Sequence, residues 1–374
     1  MSETEAAMQD MTTVRVGDAR VTLINAGDMR LILARELEVP EELWRPNYAD
    51  LFERPDVCPS LSVYIDHQGA KVLVDANDYR ATMEPDSQYA LPDYTPPPSI
   101  PDQLASLGVQ VDDITHVVIT HAHWDHFAGA TSPANGGYAP TYPHARYFLG
   151  AADWTDAEMQ TALQDATSLE SRTLGVLHER GVLHLVEGPE QIAEGIDILP
   201  APGETSGHQV VRVQSGGETL YILGDAFHHP IEVEHPDWMV GWADADVMLA
   251  TRRWLLRDAL AEHALLTAAH IANFGRISSA DDGSLRWSEI SDRGAGMRLY
   301  LLLLPRIRCL RSIYVEWRRA ENLKPRARNS GSEALRICRR WRQGGISRRL
   351  TSEAEEGLAD GAGWCHDDEQ AHRW

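Results

Sequence analysis

Cysteine is scarce in this chain. Four stand among 374 residues, Cys58, Cys309, Cys338 and Cys365, and no two have Cys-x-x-Cys spacing. The sequence therefore signals neither a thiolate zinc site nor a disulfide framework. Long apolar runs are missing too. The longest, residues 299–304, falls far short of the roughly 20 residues a membrane-spanning helix needs. The first twenty residues are acidic and polar, without the apolar core of a secretory signal, so a cytoplasmic location and no membrane partner are expected. Basic residues are sparse over most of the length. Residues 1–291 carry 17 Lys and Arg against 45 Asp and Glu, a balance of −28, whereas residues 292–374 carry 17 against 11, a balance of +6. Such an acidic body repels nucleic acid and anionic membrane surfaces, which leaves small molecules as the expected partners and a homodimer open.

What is present is a globular composition, 43% apolar and 24% charged, long enough to bury a substantial core. Residues 12–24 alternate apolar and polar side chains around Gly17-Asp18 and predict a β-hairpin. Residues 30–57 predict a short helix and a loop. Two strands, 60–65 and 70–75, meet at Asp66-His67-Gln68-Gly69, and the second ends in Asp75-Ala76-Asn77-Asp78, acids that can support a neighbouring metal site. Residues 78–100, with Pro85, Pro92 and Pro96-Pro97-Pro98, predict an ordered excursion whose Tyr89 and Tyr94 either shape access to a site or form an inert loop. Further on, the pattern predicts a helix over 100–107, a buried strand over 114–119, a Gly/Pro-rich loop over 131–144 and a strand over 145–149. A helix capped by Asp153 or Thr155 then runs to about 178. Strands are predicted at 182–186, 196–199, 209–214, 219–223 and 265–269. An amphipathic helix over 246–263 has Val247, Leu249, Ala250, Trp254, Leu255 and Leu260 as its expected buried side. Strands early and late with helices between suggest two packed sheets covered by helices.

Chemistry concentrates in Thr120-His121-Ala122-His123-Trp124-Asp125-His126, directly after an apolar strand. In an extended segment His121 and His123 project to one side, because side chains alternate with period two; Asp125 and His126 then turn away towards a second ion. The donors are nitrogen and oxygen, a set suited to zinc and to other divalent ions such as manganese, iron and cobalt. Three more candidates stand at strand-to-loop junctions: His208 after Pro202-Gly203-Glu204-Thr205-Ser206-Gly207, Asp225 after Gly224, and His270 after 265–269. Each alone is weak, since a lone His or a Gly-Asp pair is commonly just a turn. Together they describe ligands converging from rigid strand ends.

His-x-His-x-Asp-His, then Gly207-His208, Gly224-Asp225 and Ala269-His270, in that order, resembles the metallo-β-lactamase-fold superfamily over roughly residues 12–287. The resemblance implies an α+β fold, the αββα sandwich, and two Zn²⁺ ions. It implies that His121, His123 and His208 hold one ion and Asp125, His126 and His270 the other. Asp225 would bridge them beside a hydroxide able to attack an electrophilic centre. Asp125 is expected to orient that nucleophile as well as to bind. His123 stands where the diiron flavoprotein oxygen reductases of this superfamily carry Glu, which favours hydrolysis over redox use. The seven-ligand set and Gly224-Asp225-Ala226 are similar to the acyl-homoserine lactonase-like branch, which places a Tyr three residues after the bridging Asp. Here that position is His228, a candidate hydrogen-bond or proton donor.

The resulting expectation is a dinuclear metal-dependent hydrolase of small esters or lactones within residues 1–290. Alternatives are a phosphotriester or phosphodiester hydrolase, an RNA-processing hydrolase aided by the basic tail, and a metal-binding scaffold. Residues 291–374, with Arg-rich stretches and no sustained period, are expected to be a poorly ordered or non-homologous extension.

Overall fold

The computed structural model describes residues 11–84, 86–280 and 283–290. The Arg-rich extension expected at 291–374 lies outside the described residues.

The described residues form two seven-stranded sheets and a small hairpin. The first sheet takes β1 (Thr12–Val16), β2 (Ala19–Leu31), β3 (Asp56–His67), β4 (Ala70–Val74) and β5 (His116–Val118) in spatial order. The hairpin is β6 (Thr131–Ala134) and β7 (Gly137–Pro140); β8 (Arg146–Gly150) and β9 (Leu183–Val186) then complete the first sheet. The second sheet runs in order through β10 (Glu190–Ala193), β11 (Ile196–Pro200), β12 (Gln209–Ser215), β13 (Glu218–Ile222), β14 (Leu265–Thr267), β15 (Gly275–Ser279) and β16 (Leu285–Glu289).

Period-two patterning explains the layers. On β4, Val72 and Val74 face a core shared by both sheets, while Leu73 faces a second core beneath the outer helices with Ile100 and Leu104. On β13, Leu220 and Ile222 enter the shared core, and Tyr221 packs with Leu255, Leu256 and Ala259 on the other side. Both faces of each sheet are therefore apolar, and each fully buried Val or Leu contributes about 1.5–3 kcal/mol. The product is an αββα sandwich.

Strand direction fixes the position of the site. β4, β5, β8 and β9 run parallel, as do β13 and β14. Their carboxyl ends deliver Asp75, His121, Asp153, Asp225 and His270 to one edge, the place where open sheets gather ligands. Backbone hydrogen bonds lock the two sheets together there: Gln209 N–H to Thr120 O and Leu61 N–H to Ala269 O, each 2.9 Å.

Several expectations change. Residues 30–57 lengthen β2 to Leu31 and contain a helix at Glu41–Glu53. The 131–144 loop holds the β6–β7 hairpin. The single helix expected to 178 is broken into Ala151–Thr155, Ala157–Ala162 and a helical stretch from Ser171 to Glu179. Asp156, not Asp153 or Thr155, caps the second piece through the amides of Glu158 and Met159. The helix at 246–263 spans Ala245–Glu262, but its buried residues are Met248, Thr251, Arg252, Leu255, Leu256 and Ala259. Of the six residues expected to be buried, only Leu255 is. An arginine on the buried face displaced the apolar count, and Val247 is 37% exposed.

One close approach holds the edge in place. A Cβ on Gly150, at the end of β8, would lie 1.9 Å from the Gly207 carbonyl oxygen, just before His208. We expect Gly150→Ala to lower stability by about 1–3 kcal/mol through overpacking, read as an earlier urea midpoint; an unchanged midpoint would mean the turn can retreat freely.

Candidate metal centre

The dense histidine segment is a loop that turns directly into a helix. β5 ends at Val118, residues 120–123 bend, and His123 occupies the position before the short helix Trp124–Phe127. The backbone there is not extended, yet it separates the four side chains into two pairs. His121 Nε2 and His123 Nδ1 lie 2.9 Å apart on one side, while Asp125 and His126 ride on the helix, their Oδ1 and Nε2 atoms 3.6 Å apart.

Two donor groups result. His121, His123, Glu204 and Asp225 form one, with ligand atoms within 4.8 Å of one another, and Asp125, His126 and His270 form the other. Asp225 lies between them. Its Oδ2 is 3.7 Å from His121 Nε2, and 3.3 Å from both His126 Nε2 and His270 Nε2. His270 Nε2 is also 3.4 Å from Asp125 Oδ2. His208 stands beside the first group, its ring centroid 5.1 Å from that of His121. Its Nε2 accepts the Asp225 amide at 3.1 Å and its Nδ1 donates to Ala201 O at 2.9 Å. In this arrangement Glu204, rather than His208, completes the four-atom group.

These residues fit a divalent cation. His126 Nε2, Asp225 Oδ1 and Glu204 Oε2 are buried without a hydrogen-bond partner, a costly state for polar atoms that convergent coordination would resolve. Electrostatics point the same way. Burial opposes charge on His126, yet the Asp225, Asp125 and Asp75 carboxylates outweigh it and hold the ring well above the usual imidazole range. His270 is raised likewise against burial, mainly by Asp225. Burial would push the Asp225 carboxyl up, but His126, His270 and His228 bring it well below the usual carboxylate range. Positive charge belongs in this cluster, and N and O donors are those zinc and related ions accept.

Outer contacts fix the rings, as metal-ligating imidazoles require. Asp75, held at φ +60° where β4 ends, accepts Thr120 N–H at 2.8 Å and pairs with His126 Nδ1 at 2.9 Å. Of the acids in the 75–78 segment Asp75 thus backs the donor cluster, whereas Asp78 caps the helix Tyr79–Thr82. His270 Nδ1 donates to Pro59 O at 2.9 Å. Asp153 joins the histidine loop to the His208 turn, accepting Ala122 N–H at 2.9 Å and Gly207 N–H at 2.6 Å. Sequence reasoning passed over Asp153 in this role and Glu204 altogether, although Glu204 shares the His208 turn.

His228 is buried between the groups. Its Nε2 lies 3.3 Å from Asp225 Oδ2 and 3.6 Å from Glu204 Oε1, and its ring stacks on His270 at 5.8 Å. The loop that carries it is clamped from behind. Glu232 accepts the His228 and His229 amides at 2.5 and 2.8 Å. Arg252, fully buried, binds Glu232 at 2.5 Å and donates to Ala226 O and Trp238 O. Above His123, Asp125, Asp225, His228 and His270 opens a cavity of about 250 Å³. Its walls are mostly apolar, with Met29, Leu31, Leu33, Val240, Tyr89 and Trp242. Of the two excursion tyrosines, Tyr89 lines the cavity, whereas Tyr94 bonds Asp28.

The clamp has a pH signature. Burial would raise the Glu232 carboxyl, but Arg252 and the His228 side hold it down to about 2, against 4.5 ordinarily. A depressed acid stabilises fully above its unfolded value and loses that contribution as pH falls towards its folded one. Unfolding free energy should therefore fall more steeply below pH 4.5 in the wild type than in Glu232→Gln, by urea denaturation. At neutral pH Arg252→Met should cost about 3–5 kcal/mol, because the carboxylate stays buried and unpaired. Equal acid slopes would remove the clamp from the stability account.

The comparisons agree with the architecture. The family model of the metallo-beta-lactamase superfamily matches residues 55–270. A probable metallo-hydrolase of Mycobacterium tuberculosis is 30% identical over 146 residues, 34% of this chain and 41% of its own length. An N-acyl homoserine lactonase of a Bacillus species is 23% identical over 182 residues, 48% of this chain and 65% of its own length. The chain thus spans less than half of the first relative and just under two thirds of the second. Among solved structures, the hydrolase AbOPH superposes with a TM-score of 0.63 at 15% identity, covering 76% of this chain and 99% of its own. The dizinc quorum-quenching lactonase AidC gives 0.59 at 19% identity, covering 75% and 97%; at such identities the likeness is one of fold. The family model alone spans more than half of the sequence, and the chain belongs to the metallo-β-lactamase superfamily.

Proposed function

We propose that this chain is a dinuclear metal-dependent hydrolase, using two zinc ions, that cleaves small esters or lactones carrying an apolar group. The observation that carries the reading is Asp225: one buried carboxylate oxygen within 3.3–3.7 Å of imidazole nitrogens from both donor groups, the position of a shared ligand. His121, His123 and, once its Nε2 releases the Asp225 amide, His208 would hold one ion, Asp125, His126 and His270 the other. When bound, such ions supply Lewis acidity and lower the pKa of bound water towards neutrality.

The chain's own residues do the rest. Asp125, 9% exposed, borders the cavity and orients a group between the two sites. His228 Nε2 faces the same space. From there, 3.3 Å from Asp225 Oδ2 and 3.6 Å from Glu204 Oε1, the imidazole can donate a hydrogen bond or a proton to a substrate oxygen. The apolar wall excludes water and favours an alkyl or aromatic substituent. Among the described residues no helix is long and apolar enough to cross a membrane, and the acidic body disfavours nucleic acid.

The test is turnover of the metal-loaded protein on lactones, aryl esters and phosphotriesters. Ester or lactone hydrolysis that strengthens with an apolar acyl group is expected. His123→Ala should lose metal and activity together, and His228→Ala should retain metal while kcat falls about 10²-fold or more. Turnover of phosphotriesters alone, or full activity in His123→Ala, would overturn the proposal.

A further inference from the structure

The two donor groups are nearly symmetric once Glu204 is counted. His126 and His270 share the second position with Asp125 and Asp225. At the first, His121 and His123 share with Glu204 and Asp225. Each position then has a carboxylate of its own besides the common Asp225, and the first adds His208 as a third imidazole.

Glu204 is built into that place. It is 3% exposed. Its Oε1 lies 3.4 Å from His123 Nδ1 and accepts the Trp242 indole N–H at 2.5 Å, so the carboxylate cannot swing to solvent without breaking that bond. Its Oε2 is buried and has no hydrogen-bond partner. A glutamate desolvated this far, with one oxygen unspent and no lysine or arginine among its ion-pair contacts, needs a cation.

We propose that Glu204 is an eighth metal donor, binding through Oε2 the ion held by His121 and His123. A second carboxylate there makes the position harder and raises its coordination number. It thereby widens the choice of ion from zinc towards manganese(II) and iron(II), which carboxylate oxygens suit. The inference rests on the metal site of the proposed function but concerns which ions it takes, and it can be read without substrate.

The experiment compares the full chain with Glu204→Gln, which keeps the shape, Glu204→Asp, which keeps the charge, and Trp242→Phe, which removes only the indole bond. Affinities for Mn²⁺ and Zn²⁺ are measured by competition with a chromophoric chelator, and Co²⁺-loaded protein is examined by visible absorption. Glu204→Gln should lose about tenfold or more in Mn²⁺ affinity, with a smaller loss for Zn²⁺. Its Co²⁺ bands should intensify as the coordination number drops. Glu204→Asp should recover part of the Mn²⁺ affinity, and Trp242→Phe, which frees Oε1 but leaves the carboxylate, should lose less than Glu204→Gln. Affinities within twofold and an unchanged Co²⁺ spectrum in Glu204→Gln would overturn the proposal. If Glu204→Gln does not fold, the Asp variant decides: wild-type Mn²⁺ selectivity together with an unchanged Co²⁺ spectrum contradicts direct ligation, and weakened Mn²⁺ binding supports it. Failure of the wild type to bind any divalent ion would instead defeat the hydrolase reading.

Discussion

The structure depends on a buried carboxylate that cannot stand alone. Asp225 is 3% exposed and sits where three imidazoles approach one of its oxygens, at 3.3 Å from His126, His228 and His270. An isolated ionised carboxylate there would be prohibitively costly. The fold supplies the compensation by bringing strand ends from two sheets to one edge. β13 positions Asp225, β14 leads to His270, and β5 leads into the histidine loop. The cross-sheet bonds from Gln209 to Thr120 and from Leu61 to Ala269 keep those ends in register, so core packing and site geometry are one problem.

The site is rigid because its supports are buried too. Asp75 and Asp153 each accept several hydrogen bonds from the histidine loop or the His208 turn. The Glu232–Arg252 pair fixes the loop that carries His228. None of these groups lines the cavity above the site; they hold the imidazole rings and their loops in place. Above the acidic and imidazole floor lies a mostly apolar cavity, which under the proposed function would select substrates by shape.

Much of this was legible in the sequence, and the exceptions have physical reasons. The order of candidate donors from His121 to His270 is visible because metal ligation demands particular residue types at strand ends, and two packed sheets covered by helices follow from the order of strands and helices, with the αββα sandwich implied by the family resemblance. The buried face of Ala245–Glu262 was not legible, because Arg252 serves an internal ion pair that hydropathy reads as a surface residue. The β6–β7 hairpin was hidden in glycine and proline, and β15 and the edge strand β16 carry too many polar residues to announce themselves. Glu204 stood four residues before His208, in the open, but a glutamate in a turn reads as solvated until burial shows otherwise.

The central claim is that Asp225 is a ligand common to two ions. Its most direct test is metal stoichiometry by elemental analysis and calorimetric titration of the wild type and Asp225→Ser. The account predicts two divalent ions bound per wild-type chain and weakened binding at both positions in the variant. A single ion in the wild type, or two ions held with undiminished affinity by Asp225→Ser, would contradict it.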